Sequence, residues 1–157
     1  MMTPDREILS RSYVPGPIFR SKLSKKVREK VSLQKYLYVA LGGALGSLLR
    51  FWIGSVVGGR MGTRFPYGTF VINITACIII GFVLTLMGSR TGMNPAWRYL
   101  IPIGFVGAYS TFSTFEWEIF TNLQTGAFLI ASSYVVLSLI FGFVGIWGGA
   151  MIASAFL

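Results

Sequence analysis

Residues 104–118 read Gly-Phe-Val-Gly-Ala-Tyr-Ser-Thr-Phe-Ser-Thr-Phe-Glu-Trp-Glu, in a place where an apolar helix would otherwise run on unbroken. Within them, Gly107 to Thr114 holds two serines, two threonines and a tyrosine in eight residues. Hydroxyls in that number inside an apolar span require either packing partners or a function. Gly104 and Gly107 permit a break, and Ser110, Thr111, Ser113 and Thr114 can satisfy the carbonyls a break would free. The stretch therefore reads as two half-helices with a polar joint. A broken helix presents carbonyl oxygens to cations and amide N–H groups to anions, so backbone geometry alone leaves both signs of ion open.

Composition fixes the surroundings of that joint. The chain of 157 residues is 54% hydrophobic and only 12% charged, with a mean hydropathy of +0.66. Those values lie outside the range of a soluble domain and inside that of a small polytopic membrane protein. From Ile119 to Leu157 there is no charged residue at all, a stretch that only a bilayer makes comfortable. One cysteine, Cys77, provides neither a disulfide framework nor a metal cluster, and histidine is absent. Enzyme and cofactor chemistry are therefore not expected. The net charge of +9 is concentrated in residues 1–31, which carry eight Lys/Arg against three acids. A nucleic-acid partner would need a folded basic face, and no segment provides one; a basic tail beside an anionic leaflet accounts for the charge more simply.

Taken in order, residues 1–34 are a basic N-terminal extension broken by Pro4, Pro15 and Pro17. A disordered cytoplasmic tail is expected, with a short interfacial helix over Lys22 to Lys30 or a targeting peptide as the other readings. Residues 35–157 form one domain of four membrane helices: about Tyr36–Gly58, Tyr67–Gly88, Tyr99–Asn122 with the break inside it, and Ala127–Phe156. The fold class is an all-α membrane protein at the cell membrane, its third helix broken near the middle. Gly42-x-x-x-Gly46 marks a close helix approach in the first span. The fourth exceeds what a bilayer needs and is expected to tilt or fray near Gly148 and Gly149.

Individual side chains leave alternatives open. Arg50 either snorkels to the interface or faces a watery vestibule that attracts anions. Asn73 is either interhelical glue or pore lining. Phe112 and Phe115, three apart, share a helix face after the break. Their positive ring edges would suit a small anion, while simple packing is the common fate of such rings. Glu116 and Glu118 lie near the end of the third helix, where Arg50 or a loop arginine could pair with them.

Three motifs together resemble one family. The 104–118 stretch is similar to the signature of the Fluc (CrcB) fluoride channels, in which a Gly-rich turn leads into T-T-F-S-T-F. GGALGSLLRF at 42–51 and GTFVINITACIIIG at 68–81 agree with it in order and spacing. The resemblance covers about Lys35 to Ala153. It implies fluoride as the transported ion, an antiparallel dual-topology homodimer in the lipid bilayer, two pores, and a structural sodium ion (Na+) at the dimer centre. By motif position, Phe112 and Phe115 match the pore phenylalanines, with Asn73, Thr114, Tyr134 and Ser138 beside them. Arg50 matches the vestibule arginine, and Gly107 and Ser110 the backbone carbonyls that hold sodium. Ser110 stands where threonine is usual, Tyr109 is bulky for its place, and Gly142 lacks the hydroxyl often found there.

Charge distribution bears on orientation. Without the extension, Lys35, Arg90 and Arg98 oppose Arg60 and Arg64, a near balance that suits insertion in both directions. With it, the count becomes eleven against two, which favours a cytoplasmic N-terminus unless the tail is removed, translocated, or matched by an oppositely oriented paralogue. The competing function is a small dual-topology proton-coupled multidrug transporter. That activity would need an acid in the first span, where this chain has Arg50.

Overall fold

The computed structural model describes residues 33–62, 64–89 and 93–157. The expectations for the N-terminal extension up to Ser32, and for residues 90–92 of the loop that holds Arg90, fall outside the described residues. Every regular element described is helical. Helix α1 spans Leu33–Met61 and α2 spans Tyr67–Ser89. The next segment, α3, is composite: an α-turn Ala96–Arg98, a π-helical stretch Tyr99–Val106, and a last α-turn Gly107–Tyr109. Helix α4 covers Phe112–Gln124 and α5 covers Phe128–Ser154.

Three of these, α1, α2 and α5, are long and apolar enough to cross a membrane; α3 and α4 are the two halves of the broken helix. The widening of α3 has a cause in sequence. Pro102 has no N–H, and its ring would crowd the carbonyl one turn back, so the ladder relaxes into wider turns around it. Reading composition alone misses this, because Pro102 is one residue in an otherwise smooth apolar run.

Packing is by small residues, as expected where lipid supplies no hydrophobic drive between helices. α5 packs chiefly on α2, and α1 chiefly on α3. At Gly42 and Gly46 a Cβ would collide with the carbonyl oxygens of Leu100 and Phe105, so α1 lies directly against the widened backbone of α3. Gly81 meets the Ile146 carbonyl in the same way, and Gly149 the Ile78 carbonyl. This corrects two expectations. Helix α5 does not fray at Gly148 and Gly149; it runs unbroken to Ser154, and Gly149 is buried in the seam with α2. Gly104 does not open the break either: it is buried within α3, five residues before its last residue Tyr109, where a Cβ would lie 2.8 Å from the Val39 carbonyl.

The interior is correspondingly thin. Ile72, Ala76, Val106 and Tyr109 form its buried centre, whereas Leu48, Phe51, Trp52, Leu139 and Phe143 are largely exposed. Apolar surface of that extent is stable only against lipid or another protein.

Candidate ion site at the helix break

The chain leaves helical geometry at two residues. Ser110 is extended, with ψ 158°, and Thr111 has φ −146° and ψ 116°. Thr111 then caps α4: its Oγ1 accepts from the Thr114 N–H at 3.3 Å and lies 2.9 Å from the Thr114 hydroxyl. Both backbone groups of Thr111 are held by one side chain of α2. Asn73 Nδ2 donates to the Thr111 carbonyl at 3.1 Å, and Asn73 Oδ1 accepts the Thr111 N–H at 2.9 Å. Asn73 is therefore a brace within one chain, and it also lines a cleft of about 340 Å³ together with Cys77, Ser110 and Phe112.

These bonds release two carbonyls from the helical ladder. The helical donor for Gly107 O would be the Thr111 N–H, which goes to Asn73 instead. The helical donor for Ser110 O would be the Thr114 N–H, which goes to the Thr111 side chain. Gly107 is exposed and Ser110 half-buried. Among the described residues no group of three or more His, Cys, Asp or Glu could hold a metal. Freed carbonyl oxygens are the donors present, and they are of the kind that hard cations accept.

A second set of polar groups runs beside the break. Glu118 accepts from the Thr69 hydroxyl at 2.7 Å with one oxygen and from the Tyr134 hydroxyl at 2.8 Å with the other. Pairing with Arg50 or a loop arginine is thus replaced by two neutral donors from α2 and α5. Tyr134 is 0% exposed, and Phe115 lies against it with ring centroids 4.9 Å apart. One turn along α5, the Ser138 hydroxyl is buried with no hydrogen-bond partner. By contrast, the hydroxyls of Thr75 and Ser133 bond back to carbonyls of their own helices, at Val71 and Ile130. Gly142, a further turn on, is buried, and a Cβ there would sit 3.5 Å from Cys77 Sγ.

The two phenylalanines differ in setting. Phe112 is 74% exposed, whereas Phe115 is half-buried, and their rings are 6.1 Å apart at 36°. Arg50 is half-buried and lines an open cleft of about 340 Å³ with Thr69, Thr111 and Thr114. Next to it a larger opening of about 660 Å³ is bordered by Gly54, Phe65, Thr69, Glu118 and Asn122. The structure thus gathers Asn73, Thr114, Ser110 and Phe112 at the break, and Phe115, Tyr134 and Ser138 along α4 and α5.

Sequence reasoning missed the Thr69–Glu118–Tyr134 cluster and the bond between Tyr109 and Thr75. A signal existed for the first: a carboxylate in an apolar span needs donors. Its partners lie on separate helices, so spacing could not name them.

A small multi-pass membrane protein with one interrupted, polar-jointed helix is a construction that handles ions or polar substrates within the bilayer. Comparison with known proteins narrows the class. The family described as CrcB-like protein, Camphor Resistance (CrcB), matches residues 37–150, and the chain belongs to it. It is 49% identical over 120 residues to the fluoride-specific ion channel FluC of Acidobacterium capsulatum, covering 76% of this chain and 96% of that protein. Proteins of the same name from Solibacter usitatus and Rhodospirillum rubrum are 43% and 45% identical, over 76% and 73% of this chain and 98% and 90% of theirs.

Proposed function

We propose that this chain is a fluoride-specific channel, not an enzyme, and that it lets fluoride leave the cell passively. Hydrogen fluoride crosses membranes as the neutral acid and ionises inside, so a selective leak limits toxicity. The observation that carries the reading is the Ser138 hydroxyl, buried in an apolar helix without a protein partner. A buried O–H without a partner is costly, and an anion passing along α5 is a natural acceptor for it. Tyr134, one turn earlier, and the edges of Phe115 and Phe112 continue the same line, and Arg50 would concentrate anions at its cleft.

The working unit in this reading is an antiparallel homodimer with both orientations in the membrane. Gly107 and Ser110 would hold a structural sodium ion through their carbonyls, two from each copy, at the centre of the dimer. Bound sodium would supply a fixed positive charge that ties the two broken helices together. The exposed position of Gly107 and the large apolar exposure of the helices support a second copy there. Dual insertion requires that the basic extension lie too far from the first span to dominate orientation.

Liposomes loaded with fluoride and containing the purified protein should release it, as read by a fluoride electrode; no release, or equal passage of chloride, overturns the reading. Reporter fusions at the C-terminus should report both sides of the membrane, and one orientation with no partner subunit would exclude the dual-topology dimer. The multidrug-transporter reading has little support, since Glu118 has both oxygens committed to hydroxyl donors.

A further inference from the structure

Among the described residues, Tyr109 is, like Tyr134, a large side chain that is fully enclosed, at 1% exposure. Its ring stacks on Phe105, with centroids 5.6 Å apart and planes 13° from parallel. Its hydroxyl lies 2.7 Å from Thr75 Oγ1 on α2. The direction of that bond follows from Thr75, whose hydroxyl also approaches the Val71 carbonyl at 2.7 Å and the Ile72 carbonyl at 3.0 Å. Carbonyls only accept, so the single Thr75 proton is used there, and the tyrosine donates. On the opposite side α1 closes in: a Cβ at Gly46 would stand 3.1 Å from the Tyr109 nitrogen. Tyr109 is thus fixed from three directions at the last helical residue before the break.

The neighbouring grip is Asn73 on Thr111. Ser110 lies between the two, its carbonyl released, with the residue before it tied to Thr75 and the residue after it tied to Asn73. A leucine at 109 would fill apolar space but reach no polar group on α2. We propose that Tyr109 and Thr75 are a positioning pair that sets where the Gly107 and Ser110 carbonyls point, and so sets the affinity for the cation. The inference rests on the sodium reading above and extends it to two residues outside the ligand set.

The test uses the full-length protein in detergent, melted across a sodium series at constant ionic strength with N-methylglucamine as the replacement cation. Wild type should melt higher as sodium rises, with a definable midpoint. Tyr109→Phe keeps the stacked ring, and Thr75→Val keeps the side-chain shape; each removes the bond. Both should move the sodium midpoint upward by about three- to ten-fold, the effect of one hydrogen bond on a binding equilibrium. Thr75→Ser retains the hydroxyl and should keep the wild-type midpoint. If Tyr109→Phe does not fold, Thr75→Val carries the same comparison. An unchanged midpoint in the hydroxyl-deleted proteins, with melting lowered equally at every sodium concentration, would make the pair an ordinary packing contact. A wild-type protein indifferent to sodium would instead remove the cation reading, and the positioning role with it.

Discussion

Asn73 grips both the N–H and the C=O of Thr111, at 2.9 and 3.1 Å, from a helix 38 residues earlier in the chain. Two hydrogen bonds from one amide fix Thr111, one of the two extended residues of the broken helix. An aspartate could accept the Thr111 N–H but not donate to its carbonyl, and it would bring a charge to membrane depth. Asn73→Asp should lower stability by about 2–4 kcal/mol, from one lost bond and one buried carbonyl left unpaired. Thermal melting in detergent measures the loss, and fluoride efflux should fall with it.

Ser138 permits a cleaner separation of stability from transport. Its hydroxyl has no partner to lose, so Ser138→Ala should not lower stability and should raise it by about 1 kcal/mol, as an unpaired buried O–H is removed. Fluoride efflux should nevertheless drop several-fold if the hydroxyl serves the ion. Equal efflux from both proteins would take Ser138 out of the permeation path.

Phe112 and Phe115 should respond differently to the same change. Phe112 is mostly exposed, so Phe112→Ile should leave folding and assembly intact while impairing fluoride passage. Phe115 packs on Tyr134, and Phe115→Ile should also cost about 1 kcal/mol of stability from the lost aromatic pair. Size-exclusion chromatography beside the efflux assay distinguishes the two outcomes. A Phe112→Ile protein that fails to assemble would show that its ring is there for packing.

The glycine seam between α2 and α5 gives a structural contrast. Gly81→Ala and Gly149→Ala each drive a methyl into a backbone carbonyl, and each should destabilise by about 2 kcal/mol or more. Gly142 faces only Cys77 Sγ at ordinary contact distance. Gly142→Ser should therefore fold normally, and it would add a hydroxyl one turn beyond Ser138. Expression level and melting temperature compare the three.

Glu118 holds two hydroxyls at once, so its removal is felt on two other helices. Glu118→Ala leaves the Thr69 and Tyr134 donors unpaired and should cost about 2–4 kcal/mol. Tyr134→Phe removes one of the two bonds and should cost about half as much. A double-mutant cycle on this pair measures how strongly they are coupled.

The sequence by itself determined the class: apolar spans of bilayer length, a polar interruption in the third, and motifs sufficient for the family. Those features are local, since hydropathy and helical period are properties of contiguous residues. It also supplied the residue types of the break, because the hydroxyls and both phenylalanines stand together within residues 107–115. Tertiary structure decided where the helix breaks and what holds it open. Gly104 and Gly107 looked like the hinge, yet Gly104 is used for contact with α1 and the chain turns at Ser110 and Thr111 instead. The break occurs there because Asn73 offers the backbone a better pair of bonds than the helix would. That competition between a local ladder and a distant amide is settled only when α2 lies beside the joint, and no spacing within residues 104–118 records it.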